Sequence, residues 1–227
     1  MTMNHPNVAL ATATAHIEWN RRWADSEHRA LWSQPQPEVT GLIPQLKTRG
    51  ARHVLDMGCG IGRHALALAA AGFRVTAMDA SEIGIASVRD SAWESGLAIS
   101  VERGLMTDLP FPGAGFDYVL AWNVVYHGDG SVVARTLKEI SRVLRVGGLF
   151  QGTLLSKRNA NFGVGTQVAP DTFVIDDVSD KAHPHFYCNA DEVVQLLRGF
   201  ELVSLEDYEH GSPGSFHWHF VAERLGD

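Results

Sequence analysis

Apolar residues along this chain fall into short compact runs separated by amphipathic stretches, and that alternation sets the expected elements. His53 to Asp56, Phe73 to Asp79, Ile99 to Gly104, Phe116 to Trp122 and Leu149 to Leu155 are the compact runs. Runs of this length, rich in β-branched and aromatic residues, read as buried strands. Ala65 to Ala71, Glu82 to about Glu94 and Ser131 to about Leu144 lie between them with helical spacing. In the last of these Val132, Val133, Leu137, Ile140 and Leu144 share one face. Ser81 and Ser131 are placed to cap two of the helices. Asn189-x-x-Glu192 reads as a capping box for a helix from Glu192 to Arg198. Upstream, Glu38 to about Arg49 reads as a helix kinked or shortened by Pro44 and stopped by Gly50.

Strands alternating with crossover helices imply an α/β, doubly wound parallel sheet. Glu201 to Tyr208 and His217 to Arg224, joined by a turn at 211 to 214, add an antiparallel pair at the end. Residues 1 to 15 show no apolar periodicity and are expected to be disordered or loosely packed. Lys157 to Cys188 is expected to be a long irregular cover or mobile loop, including the acids Asp176 and Asp177.

Composition narrows the function classes. A chain of 227 residues with 45% hydrophobic and 20% charged residues suits one soluble domain with a sizeable core. Its formal net charge is −7, and the longest basic cluster is Arg21-Arg22. No basic run tracks a phosphate backbone, so no nucleic-acid partner is expected. No apolar run approaches the ~20 residues needed to span a bilayer. Met1 to Leu10 lacks a secretory pattern, so the expectation is a cytoplasmic protein without a membrane partner. Cys59 and Cys188 lack paired spacing, and the histidines at 183, 185, 210, 217 and 219 have no accompanying acid or cysteine pattern, so no metal is expected.

The chemistry concentrates at Val54-Leu55-Asp56-Met57-Gly58-Cys59-Gly60-Ile61-Gly62-Arg63-His64. A strand that turns through glycines into a helix brings backbone N–H groups to a ligand and aims the positive helix end at it. A dinucleotide fingerprint would place its third glycine at 63, where Arg63 stands. Asp79 ends the second strand and can accept both ribose hydroxyls of a nucleotide-type cofactor, whether NAD or S-adenosylmethionine (SAM).

The order Asp56-x-Gly58-x-Gly60-x-Gly62 resembles motif I of the class I SAM-dependent methyltransferases. Asp108-Leu109-Pro110-Phe111 resembles the wording after the third strand of that family. Arg142-Val143-Leu144-Arg145-Val146-Gly147-Gly148 resembles a further signature, with Val146 where proline is usual and the paired glycines kept for a turn. The likeness spans about residues 50 to 155. It implies a three-layer Rossmann-like, seven-stranded sheet with an antiparallel C-terminal pair, in one domain. Residues 1–49 form its N-terminal lid or helical extension, and 50–227 its core, with an insert at 157–188. It implies SAM as cofactor, S-adenosylhomocysteine as product, and a small-molecule substrate for a monomer or homodimer. The implied cofactor contacts are Asp56, Gly58, Cys59, Gly60, Gly62, Arg63, Asp79, Ala80, Ser81, Thr107, Asp108, Leu109, Trp122 and Asn123. Asp56 orients the loop and the methionine amine, while Asp108 and the Leu109 N–H read the adenine.

Methyl transfer asks mainly for in-line positioning, and a general base only where the acceptor must shed a proton early. His127 is the candidate base, with Tyr126 to orient or donate. Trp19, Trp23 and Trp32 are the candidate lid and substrate surface, or else core packing. The Trp-Asn-x-Arg-Trp run at 19 to 23 and His217-Trp218-His219 resemble tellurite-resistance-type methyltransferases, which act on soft nucleophiles or small metabolites. A nicotinamide-dependent oxidoreductase and a non-catalytic SAM-binding protein are the alternatives.

Overall fold

Strands that are buried on both faces must lie at the centre of a sheet with helices on each side. In the computed structural model, which describes residues 12–176 and 181–226, β1 (His53–Met57), β4 (Phe116–Ala121) and β5 (Leu144–Ser156) meet that condition. β2 (Arg74–Asp79) pairs parallel to β1, and β3 (Ile99–Arg103) pairs parallel to β2 at the edge. β1 also pairs parallel to β4, and β4 to β5. The order β3-β2-β1-β4-β5 reverses between β1 and β4, so their carboxyl ends diverge around a crevice.

Helices cover both faces. α3 (Pro37–Gly41), α4 (Ile43–Thr48), α5 (Arg63–Ala70) and α6 (Glu82–Glu94) lie on one side. There Val39, Leu46, Leu68, Ile85 and Val88 pack with Val54, Val75 and Leu120. α7 (Gly130–Val143) and α8 (Ala190–Leu196) cover the other side, where Val133, Leu137, Ile140 and Val193 meet Leu55, Val119 and Phe150. Two short helices, α1 (Ala15–Trp23) and α2 (Ser26–Leu31), precede the sheet.

Local signals held where a side chain reaches its own helix end. Ser81 caps α6 through Gly84 N–H, Asn189 and Glu192 form the capping box of α8, and Pro44 divides the expected first long helix in two. α7 differs, because Asp129 rather than Ser131 accepts the N–H groups of Ser131 and Val132. A carboxylate two residues earlier takes both donors, and the Ser131 hydroxyl donates to it as well. Gly147 and Gly148 lie inside β5 rather than in a turn before it. The register shifts there, with Phe116 opposite Leu144 and Tyr118 opposite Leu149, so the glycines form a bulge.

β9 (Phe200–Glu209) and β10 (Phe216–Arg224) form the antiparallel pair, with β10 paired along β5 from Leu149 to Leu155. The insert is not structureless. β6 (Thr166–Ala169) and β7 (Thr172–Val174) make a hairpin, and β7 pairs with β8 (His185–Cys188). β8 pairs parallel to Leu155 and Ser156, on the β5 edge that β4 has left free, because β10 holds the other edge. The expected seven strands thus carry three more, and the unpaired backbone at the end of β5 is what they satisfy. Of the stretch expected to be disordered, residues 1–11 lie outside the described residues, as does Asp177. Thr12, just beyond, accepts the Asp129 N–H through its hydroxyl.

Candidate active site

The loop after β1 is held from below. The N–H groups of Gly58 and Cys59 both donate to Met78 O at the end of β2, at 2.7 and 3.0 Å. Gly60 N–H donates to one Asp79 carboxylate oxygen at 2.8 Å, and Ser81 N–H to the other at 2.7 Å. Only glycine fits at two of these points. A Cβ on Gly58, where φ is +68°, would collide with Val124, and one on Gly60 would stand 2.8 Å from the Trp23 ring.

Around this loop opens a cleft that encloses about 950 Å³ counted out to its open mouth. Gly58, Cys59, Gly60 and Arg63 form its floor with Asp79 and Ala80. Gly104, Leu105, Met106 and Thr107 form one wall, and Asn123, Val124 and His127 the far end. Trp19, Trp23 and Trp32 lie over it, with Ala13, Ala15 and His16 beside them. Trp19 and Trp23 stack at 5.0 Å between centroids, and Trp32 meets Trp19 edge-on at 5.4 Å. The Asn20 carbonyl accepts from the Ser81 hydroxyl and from Ile83 N–H, which latches α1 to the start of α6. The Arg63 guanidinium lies 5.0 Å above Trp32 and donates to Gln34 O.

Electrostatics differ between the two acids. Burial pushes Asp79 upward, and the N–H groups of Ser81, Gly60 and Ala80 oppose that shift. Its oxygens keep lone pairs on the cavity side. Asp56 is buried behind the loop, does not line the cavity, and has one carboxylate oxygen without a partner among the described residues. Burial pushes it up to about 7, with the Ala65 N–H and Arg63 opposing. Its expected contact with the methionine amine is therefore not made directly from this position.

Several other expectations also shift. Asp108 is exposed and outside the cavity lining, and the Leu109 N–H expected to read the adenine donates instead to Glu139 at 2.8 Å. Segment 104–107, not Asp108 or Leu109, forms the wall of the cavity. Gly62 and Ser81 serve the helix starts rather than the cavity. Trp122 is buried against His219, with ring centroids 5.1 Å apart, and Tyr126 is buried among His127, His185 and His217. Neither lines the cavity.

Asn123 ends β4 at φ +59°, a conformation that asparagine tolerates better than most residues. Its N–H donates to the Thr153 hydroxyl, which in turn donates to the Asn123 side-chain oxygen Oδ1, and its Nδ2 donates to His210 Nε2 at 3.2 Å. His127 lies one turn of loop away. Its Nε2 donates to Asn123 O at 2.9 Å, and its Nδ1 stands 2.9 Å from His183 Nε2. Burial holds the ring well below the usual imidazole range, so it is neutral, and Nδ1 accepts from His183. Both nitrogens are thereby engaged away from the cavity, and His127 offers no lone pair for the direct base role expected of it.

The histidine packing at this end was not legible beforehand. His183 and His185 pack on His127 from the insert, at 4.8 Å each between ring centroids, and His210, His217 and His219 come from β10 and the turn before it. Sequence distance hid these contacts, although the density of histidines after residue 180 was a signal. His16, His64, Ile61, Met78, Gly104 to Met106 and Val124 also line the cavity without having been singled out.

A family profile described as a methyltransferase domain matches residues 54–148. Rabbit (Oryctolagus cuniculus) glycine N-methyltransferase is 31% identical over 173 residues, which cover 66% of this chain and 58% of that enzyme. A Mycobacterium tuberculosis protein named "probable S-adenosylmethionine-dependent methyltransferase" is 29% identical over 85% of this chain and 59% of its own length. The chain therefore spans a little under three-fifths of the length of these relatives. Among solved structures, the 1,6-didemethyltoxoflavin-N1-methyltransferase of Burkholderia thailandensis, with 1,6-didemethyltoxoflavin and S-adenosylhomocysteine bound, superposes with a TM-score of 0.70. It shares 19% identity over 99% of this chain and 94% of that one, a likeness of fold.

Proposed function

The chain belongs to the class I S-adenosylmethionine-dependent methyltransferase superfamily, whose cofactor is SAM, and from that premise we propose that it transfers the SAM methyl group to a small-molecule acceptor. One observation carries the reading. The Asp79 carboxylate and the glycine loop share a single cavity whose other end is closed by Asn123, His127 and an aromatic cover. In it, Asp79 accepts the ribose hydroxyls, and the loop N–H groups and Arg63 meet the methionine end. The acceptor enters between Trp19, Asn123 and His127. S-adenosylhomocysteine is the product.

The protein's part is to hold acceptor and sulfonium in line at near-attack distance, which can supply about 7–11 kcal/mol of the barrier. Because His127 presents no lone pair, the acceptor brings its own. A thiolate, a chalcogen oxyanion or a neutral aromatic nitrogen meets that condition near neutral pH, whereas an aliphatic ammonium or hydroxyl must first lose a proton. Of the two alternatives, Rossmann-type nicotinamide chemistry gives way to the family assignment. The non-catalytic SAM binder is the alternative that an experiment separates. Isothermal titration should give heat with SAM and none with NAD(P), and labelled SAM should pass its methyl to members of a panel of amines, thiols and oxyanions. SAM binding without transfer to any member would favour the non-catalytic reading.

A further inference from the structure

Behind His127, on the side away from the glycine loop, three buried histidines converge. His127, His183 and His185 each offer one ring nitrogen, and these atoms lie within 4.8 Å of one another. We propose that these three imidazoles bind one divalent transition-metal ion of the zinc class, in the acceptor-side wall of the cavity.

Tautomers support the assignment. A metal-bound histidine usually donates its other ring N–H to a carbonyl or carboxylate, which turns a lone pair toward the ion. His127 does so from Nε2 to Asn123 O, and His185 from Nδ1 to His183 O at 2.7 Å. Those bonds leave His127 Nδ1 and His185 Nε2 as lone-pair atoms facing the group. Among the described residues His185 Nε2 is buried without a hydrogen-bond partner, a state rare enough to need a cause. His183 Nε2, 2.9 Å from His127 Nδ1, completes the set once its proton moves to the other ring nitrogen. Glu18 of α1 lies close enough to His183 for the two charges to interact.

The backbone beneath the group is fixed. Gly128 N–H donates to Pro184 O and Phe186 N–H to Tyr126 O, so the loop after β4 and the start of β8 cannot drift apart. Zinc–nitrogen bonds of about 2.0–2.1 Å in a tetrahedron set ligand nitrogens about 3.3–3.4 Å apart. His127 Nδ1 and His183 Nε2, 2.9 Å apart, open by about half an ångström to reach that spacing, and rotation of the His185 ring closes its gap from within 4.8 Å. A set of imidazoles without carboxylate ligands selects zinc, cobalt, nickel or copper over magnesium or calcium. Lys181 works against the ion, since its ammonium lies 6.0 Å from the centre of the Tyr126 ring that packs on His127 and His185. His127 also lines the cavity, so an ion here sits beside the acceptor and can orient it.

Chelator-treated protein titrated with Zn²⁺ alone should take up one ion, and Co²⁺ should give a visible d–d band. His183→Phe and His185→Phe should each weaken uptake by at least about tenfold. His217→Phe, outside the trio, should not, and Lys181→Ala should tighten it. SAM affinity serves as the check on folding, and if His185→Phe fails it, His183→Phe and Lys181→Ala carry the test. No stoichiometric uptake at about 1 mM Zn²⁺, or uptake indifferent to His183 and Lys181, overturns the site. The titration contains no SAM, so its outcome is independent of whether methyl transfer is found.

Discussion

At the β1–β2 side of the cavity the buried titratable groups are carboxylates, and burial raises both Asp56 and Asp79. At the β4–β10 side they are imidazoles, and burial lowers His217 to about 3 and His219 to about 4. His64, facing Trp122 at 6.3 Å, is also lowered to about 3. The same desolvation therefore gives the two ends opposite responses to pH. A raised carboxylate costs stability as pH rises through its window, and a lowered imidazole costs stability as pH falls. At each end burial works against the charged form of the group, carboxylate or imidazolium.

The acid arm is the larger effect. An unfolded histidine titrates near 6.5, so below that pH the unfolded state binds the proton that native His64 and His217 refuse. By pH 4 the two together oppose folding by about 7 kcal/mol, against a total stability of roughly 5–15 kcal/mol. Urea unfolding should show stability dropping steeply below about pH 6. His217→Phe should recover about 3 kcal/mol at pH 4 by removing one such group, with that pH-dependent gain absent at pH 8. A variant-to-parent difference that stayed flat with pH would remove the contrast between the two ends.

The alkaline arm belongs to Asp56. Its native value of about 7 lies well above the unfolded carboxylate, so stability is lost as pH rises from about 4 to 7 and stays lost above. Asp56→Asn keeps the shape without the charge and should stabilise the apo protein by up to about 4 kcal/mol at pH 8, fading toward pH 4. Thermal unfolding at the two pH values reads it directly.

Asp79→Ala sharpens the comparison in ligand terms. It removes charge-assisted hydrogen bonds worth about 1.5–3 kcal/mol and should lower SAM affinity about 10- to 150-fold. His217→Phe, at the other end, should leave SAM affinity unchanged. Equal losses in titration calorimetry would mean that the cavity does not divide into a cofactor end and an acceptor end.

The cofactor end could be read from the chain because its parts are local. Glycines that must hold positive φ within five residues, and an acid that ends the next strand, leave their mark in spacing alone. Gly58, Gly60 and Asp79 line the cavity. The doubly wound, largely parallel sheet followed from the same alternation of runs. Expectations failed where a nearby competitor took the group, as Glu139 takes the Leu109 N–H and Asp129 takes the cap of α7. They failed more fully at the acceptor end, where His127, His183 and His217 meet only through crossovers of the sheet. The docking of β8 on β5 depends on a strand edge that no local pattern announces.

The smallest effect concerns the cover that spans both ends. Trp23 is buried and its ring seats on Gly60, whereas Trp19 is only partly buried and reaches from Trp23 and Trp32 across to His127, 6.1 Å away. Trp23→Ala should therefore act as a core deletion, costing about 3–5 kcal/mol of stability. Trp19→Ala should act on the ligand instead. Losing aromatic contacts worth about 0.5–1.5 kcal/mol should raise the acceptor KM about 2- to 10-fold, with the melting temperature nearly kept. Steady-state kinetics and thermal unfolding on the two variants separate the roles. If Trp19→Ala lost its fold as Trp23→Ala does, α1 would belong to the core, and the acceptor end would lack a cover of its own.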